Sequence, residues 1–162
     1  MTPLERLLTV LADSGVRFIL VGGVAARAHG SSRLTDDLDV CYARDRENLD
    51  RLSAALAAFT PYPRGAPTGL PFEWSAATLR GGLNFAFSTS IGAIDLFGEI
   101  SGGGDFARLL PHTQQITLFE REFLLLNLPW LIHVKRAAGR PTDFEVIAEL
   151  EALQEEIDGT IS

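Results

Sequence analysis

The chain has 162 residues, enough for one domain whose core needs no disulfide or metal staple. Hydrophobic residues make up 46% and charged residues 22%, the balance of a globular chain, and no apolar run approaches the roughly 20 residues of a membrane helix. The formal net charge of −7 argues against a protein that coats nucleic acid nonspecifically, although a local basic patch is compatible with it.

The first helix is expected over Pro3–Asp13, where Leu4, Leu7, Leu8 and Leu11 recur at helical spacing and Gly15 supplies the stop. Glu5 and Arg6 interrupt that stretch, so it reads as an amphipathic helix on a core and not a signal peptide; cytoplasmic residence with no membrane partner follows as the expectation. Val16–Gly22 is β-branched and apolar and ends in glycine, the pattern of a strand. A short helix over Val24–His29 closes at Gly30, a loop "SSRLT" follows, and a second strand is expected over Asp37–Ala43. Cys41 lies in that strand and is the only cysteine, so there is no internal disulfide and no cysteine-based zinc site.

Arg46–Phe59 places Leu49, Leu52, Leu56 and Phe59 on one helical stripe. A Pro/Gly-rich loop over Thr60–Pro71 comes next, and the stretch "FEWSAATLRGG" fits neither period. "LNFAFSTS" and "AIDLFGEI" read as a hairpin about Ile91-Gly92, and "ISGGGDFARLLP" as a glycine loop running into a short helix. "QQITLF" and "EFLLLN" are two more strands joined around Glu120-Arg121. A helix follows with Asn127 as cap, Pro129 in its first turn and Gly139 as stop. The last helix starts at Thr142 with a capping box to Glu145, its apolar side formed by Val146, Ile147, Leu150 and Leu153.

The stretch that carries chemistry is "VGGVAARAHGSSRLTDDLDV". Asp37 and Asp39, read as i and i+2 on one strand, point to the same face with Cα atoms about 6.5–7 Å apart. Unpaired, they repel and raise one another's pKa. A pair of Mg²⁺ ions, with Mn²⁺ as an acceptable substitute, satisfies them and builds a two-metal phosphoryl-transfer centre. Asp95, between Ile94 and Leu96, is costly inside an apolar strand unless paired or metal-bound, and it supplies a third carboxylate if its strand lies beside the first. Gly22-Gly23 sits at a strand-to-helix turn, where a backbone without Cβ atoms can approach phosphate. Ser32, Arg33 and Thr35 of the intervening segment offer hydroxyls and a guanidinium to the same phosphates.

Each part also has a plainer reading. A Gly-Gly pair is often only a turn, Asp-x-Asp occurs on edge strands and in calcium loops, and Asp36 reads as a solvated neighbour. The joint order of strand, Gly-Gly, helix, Asp-Leu-Asp and a later intrastrand Asp is the specific signal.

That order resembles the nucleotidyltransferase superfamily that includes DNA polymerase β, over roughly Val16–Leu153, with matches at Gly22, Gly23, Asp37, Asp39 and Asp95. The variant "GGVAARAHG", with "RLTDDLD" after it, is similar to the AbiEii-like branch of toxin–antitoxin systems. The resemblance implies a single α/β (α+β) domain: a small mixed, largely antiparallel sheet with helices mainly on one side, and a helical extension over 127–158. It implies that Asp37, Asp39 and Asp95 are catalytic and hold the metals, that Lys135 and Arg140 face the nucleotide phosphates, and that Asp143 caps or pairs. The implied substrate is an NTP. The acceptor is tRNA or another RNA, a protein, or a small hydroxylated compound, and a cognate toxin or antitoxin is an implied partner. A non-catalytic nucleotide-binding or toxin–antitoxin module on the same fold is the alternative, and a structural subunit with an incidental acidic strand is the third option.

Overall fold

The computed structural model describes residues 1–161. In chain order the helices are α1 (Pro3–Asp13), α2 (Gly23–Ala28), α3 (Arg46–Leu56), α4 (Ala76–Arg80), α5 (Phe106–Leu109), α6 (Leu128–Ala138) and α7 (Phe144–Ile161). The strands are β1 (Phe18–Leu20), β2 (Leu38–Tyr42), β3 (Tyr62–Pro63), β4 (Asn84–Thr89), β5 (Gly92–Phe97), β6 (Glu99–Ile100), β7 (Gly104–Asp105), β8 (Thr113–Leu118) and β9 (Arg121–Leu126).

Local chemistry explains most boundaries. Thr2 and Glu5 form a capping box at the start of α1 and Pro3 occupies its first turn. Asp45, Ser75, Asp105 and Asn127 cap α3, α4, α5 and α6 through their side chains. Gly139 ends α6 at φ 66°, a left-handed value that glycine tolerates best. The two-residue turn between β8 and β9 puts Phe119 and Glu120 at φ 53° and 63°, as a hairpin turn with positive φ at both central residues requires. The capping box expected at Thr142 does not form. Residues Pro141–Asp143 make a 3-10 turn instead, and Glu145 is taken by Arg33 in an ion pair.

Seven strands make one sheet in the order β3-β4-β5-β2-β1-β9-β8, mostly antiparallel, with β6 and β7 a separate short hairpin. Only β1–β9 and β2–β5 pair in parallel. The predicted strands are real with altered ends: β1, β2 and β4 are shorter than expected, β8 and β9 begin and end one residue earlier, and "AIDLFGEI" divides between β5 and β6. The strand expected from Asp37 begins at Leu38, so Asp37 stands just outside the ladder on an exposed bend.

Alternation sorts the sheet's two faces. Leu38 and Val40 of β2, Ile94 and Leu96 of β5 and Phe87 of β4 are buried on one side. Directly paired residues share a face, so Asp39, Asp95 and Ala86 lie together on the other. Helix contacts form two groups. In one, α3 touches both α1 and α4; in the other, α6 touches both α2 and α7 while α2 rests on β2. Cys41 is the buried strand thiol that the sequence implies, and burial pushes its pKa up to about 12.

The Pro/Gly loop is the least regular part. It leaves β3 on the open face with Arg64 and returns on the buried face, where Phe72 and Trp74 pack on Phe87 with ring centroids 5.7 and 5.3 Å away. Trp74 Nε1 donates to Ser53 O at 2.8 Å, which ties the returning end to α3.

Candidate active site

The open face of the sheet carries a lateral row. Asp39 on β2 pairs with Asp95 on β5, Asp95 pairs with Ala86 on β4, and the Arg64 N–H donates to Ala86 O at 2.9 Å. The two carboxylates are therefore neighbours across a parallel ladder, not i, i+2 neighbours along one strand. Burial, and then the adjacent Asp95, push the Asp39 carboxyl up to about 7, against the Gly23 backbone N–H, which favours the charged form.

The glycine pair is built around these side chains. A Cβ at Gly22 would lie 1.9 Å from Asp39 Oδ2, and one at Gly23 would lie 2.8 Å from Thr35 Oγ1. The turn is thus bare because Asp39 and Thr35 occupy the space, a role beyond the phosphate approach expected from sequence. Thr35 Oγ1 in turn donates to the Asp37 carbonyl at 3.1 Å and fixes the bend that leads into β2.

A cavity of about 570 Å³ opens over this row. Gly22, Gly23, Asp37, Asp39 and Asp95 line it, as do Arg33 and Thr35. Lys135 and Arg140, which lie far away in sequence, line it too. Both are organised by the buried Asp143: Lys135 Nζ stands 4.0 Å from Oδ1 and Arg140 Nε 2.8 Å from Oδ2. The Lys135 side chain is only 12% exposed, so it is a held cation and not a free surface lysine. The lining therefore combines sheet carboxylates with the cations of the α6–α7 corner, which Asp143 partly neutralises.

Ser32 is placed differently from the expectation. Its N–H and Oγ donate to Glu149 Oε2 on α7 at 3.2 and 2.8 Å, and it does not line the cavity; Ser31 does. Ser31 Oγ also bonds Glu149, and the Arg33 guanidinium pairs with Glu145. The loop between α2 and β2 is therefore clamped on α7. These hydrogen bonds hold the Glu149 carboxyl below its usual range.

The fit of this site to a divalent cation can be judged from its atoms. Asp95 Oδ1 is buried and accepts no hydrogen bond. Arg64 Nη2 stands 2.9 Å from it, a charge contact without hydrogen-bonding angle. Two hard carboxylates side by side, one with an unfilled lone pair, suit Mg²⁺, which takes one or two carboxylates and completes its shell with water and phosphate oxygens. The expected three-carboxylate cluster is not assembled. Among the described residues no three His, Cys, Asp or Glu side chains gather closely enough to hold a metal ion. Asp37 lies outside the β2 ladder and is exposed, yet it lines the cavity and its charge adds to the upward push on Asp39.

Sequence reasoning missed Arg64, Asn84, Glu99, Ser31 and Glu149. Asn84 and Glu99 line the cavity beside Asp95, and Asn84 Oδ1 accepts the Gly98 N–H at 2.9 Å, shaping the end of β5. No local pattern marks any of them. Arg64 is a lone cation among prolines and glycines, and Ser31 and Glu149 are 118 positions apart.

No family model and no curated protein matches this chain. Solved structures do. The lincosamide antibiotic adenylyltransferase LnuA, in its lincomycin-bound crystal structure, superposes with a TM-score of 0.62 at 13% identity, over 93% of this chain and 96% of that one. A putative nucleotidyltransferase from Thermotoga maritima, TM1012, gives 0.56 at 14% identity over 98% and 96%. The solution structure of the antibiotic-resistance factor ANT(2'')-Ia gives 0.50 at 12% over 98% and 92%. At such identities the likeness is one of fold: this chain shares the mixed α/β architecture of LnuA and TM1012 over nearly its whole length.

Proposed function

We propose that the protein is a metal-dependent nucleotidyltransferase that moves a nucleoside monophosphate from an NTP to a hydroxyl of a small acceptor and releases pyrophosphate. The observation that carries this reading is the lateral pairing of Asp39 with Asp95 in a cavity that Lys135 and Arg140 also line.

In this reading Asp39 and Asp95 hold Mg²⁺, and Asp37, exposed in the cavity lining, is an auxiliary carboxylate. When bound, the metal supplies charge neutralisation for the α-phosphate and the leaving pyrophosphate and lowers the pKa of a coordinated oxygen. The chain's own residues do the rest. Lys135 and Arg140 attract the triphosphate, and Asp143 keeps them in place. The Gly22-Gly23 turn lets the phosphates approach the backbone. The acceptor oxygen forms its new bond to the α-phosphorus, the bond from that phosphorus to the bridging oxygen breaks, and pyrophosphate leaves with the electron pair. The acceptor's proton passes to one of the sheet carboxylates, Asp39 or Asp95, at the cavity floor.

A small acceptor is favoured by space and charge. A second cavity of about 630 Å³ adjoins the first and shares Asn84, Glu99 and Ser101 with it. Glu99 is exposed there, which suits a hydroxylated compound that also carries positive charge. LnuA acts on a lincosamide and ANT(2'')-Ia is an antibiotic-resistance factor, and both are nearly coextensive with this chain. The net charge of −7 points the same way, away from long RNA.

The test is incubation with Mg²⁺ and NTPs labelled at the α-phosphate, with aminoglycosides, lincosamides, total tRNA and cell protein as separate acceptors. Label on a small molecule that disappears with Asp39→Asn supports the reading. Label on tRNA or protein alone overturns the acceptor class, and no pyrophosphate release with any acceptor overturns the enzyme.

A further inference from the structure

Arg64 is a charge that the proposed chemistry does not use. Its backbone is fixed: it continues the β3 ladder by donating to Ala86 O at 2.9 Å, one step beyond the Tyr62↔Ser88 and Pro63↔Phe87 pairs. In that register its side chain lies on the open face, in the same row as Ala86, Asp95 and Asp39. The methyl group of Ala86 is the only side chain between, so the guanidinium crosses a whole strand and reaches Asp95 Oδ1 at 2.9 Å.

That contact is half made. The directed hydrogen bond of Arg64 Nη2 goes to Phe87 O at 3.0 Å, and Asp95 Oδ1 accepts none. The guanidinium is therefore anchored by a backbone carbonyl and offers Asp95 charge without a hydrogen bond. It also borders solvent. The Arg64 side chain is 32% exposed, and beyond it Gly65 and Gly69 sit at φ 81° and 88° with nothing within 4 Å of a Cβ placed there.

We propose that Arg64 is a positioning residue that holds the place of a cation at Asp95 in the ligand-free protein, so that a divalent cation and Arg64 compete for the same carboxylate oxygen. This rests on the reading that Asp39 and Asp95 hold a metal. Two adjacent carboxylates without a counter-charge repel. Arg64 relieves that repulsion before substrate arrives and keeps the β2–β5 row in register. It also sets a threshold, since a bare cation must share or displace it, whereas a cation arriving with a nucleotide brings the phosphate contacts of Lys135 and Arg140 as well.

The experiment measures Mn²⁺ binding to the nucleotide-free protein by calorimetry and by the loss of the free-ion paramagnetic resonance signal, for wild type, Arg64→Gln and Arg64→Lys. Competition predicts about tenfold tighter Mn²⁺ binding in Arg64→Gln and an intermediate value in Arg64→Lys, whose point charge reaches less far. Thermal melting and circular dichroism confirm that each variant is folded; if Arg64→Gln is not, Arg64→Lys alone carries the comparison. Mn²⁺ affinity that is equal or weaker in the variants, with the Mg²⁺–ATP thermal shift intact, overturns the role of Arg64 and leaves the nucleotidyltransferase reading standing. Absence of Mn²⁺ binding in every variant, with no Mg²⁺–ATP shift, overturns both.

Discussion

Asp39 and Asp95 are direct lateral partners on the parallel strands β2 and β5, on the sheet face that opens into the cavity. Fifty-six positions separate them in the chain, and no intervening side chain separates them in space. This one pairing turns an acidic strand into a site, and it decides how each substitution should behave.

Asp39→Asn and Asp95→Asn should each lower label transfer by about a hundredfold or more, read as initial rates with saturating NTP. Asp37→Asn should cost much less, because Asp37 lies outside the ladder and is exposed. In the ligand-free protein Asp39→Asn should raise the melting temperature, since it removes one of two facing carboxylates. Equal losses for Asp37 and Asp39 would mean that all three carboxylates converge once substrate binds.

The pH response follows from the raised Asp39 pKa. The group titrates at about 7 when folded and from a reference of 3.8, so between those values the folded chain holds a proton that the unfolded chain has lost. Stability from this proton is fully present below the lower value and is lost as pH rises through about 7. Urea unfolding of the ligand-free protein should show that decline, and Asp39→Asn should flatten it. Mg²⁺ displaces the same proton, so its affinity should rise over the same interval.

Gly22→Ala should be worse than Gly23→Ala. The first forces a Cβ to within 1.9 Å of Asp39 Oδ2 and 2.5 Å of Asp39 Cβ, while the second meets Thr35 Oγ1 at 2.8 Å and Thr35 Cβ at 2.9 Å, a smaller overlap. Overpacking of this kind costs about 1–3 kcal/mol. Denaturant midpoints give that ranking, and Gly22→Ala should also lose transfer activity because Asp39 must turn away.

Lys135→Met should weaken nucleotide binding about tenfold while leaving Mn²⁺ binding to the free protein unchanged. The side chain is nearly buried against the cavity and its ammonium faces Asp143, not the sheet carboxylates. Glu149→Ala should act more gently and by another route. It releases Ser31 and Ser32 from α7, so amide exchange across 31–33 should speed up and nucleotide affinity fall several-fold.

Much of the fold is legible residue by residue. Thr2, Asp45 and Asn127 cap helices, Gly139 ends one, and Asp95 inside "AIDLF" announces a charge with a purpose. These signals are local, set by backbone geometry and the cost of burying a polar group. The segment "FEWSAATLRGG" resists reading because it holds a cap, one short helix and an aromatic pair whose packing partners, Phe87 and Tyr62, lie outside it.

The sequence by itself determined the elements, the bare Gly22-Gly23 turn and the three aspartates. Tertiary structure alone decided which of them meet. The β2–β5 pairing is parallel and needs a long crossover, so no local turn fixes its register. A slip of one residue would send Asp95 to the buried face. The ladder places Asp39 against Asp95, leaves Asp37 beyond its end, and brings Arg64 across Ala86 to the same carboxylate, because hydrogen bonds between distant strands, not spacing along the chain, determine which side chains share a face.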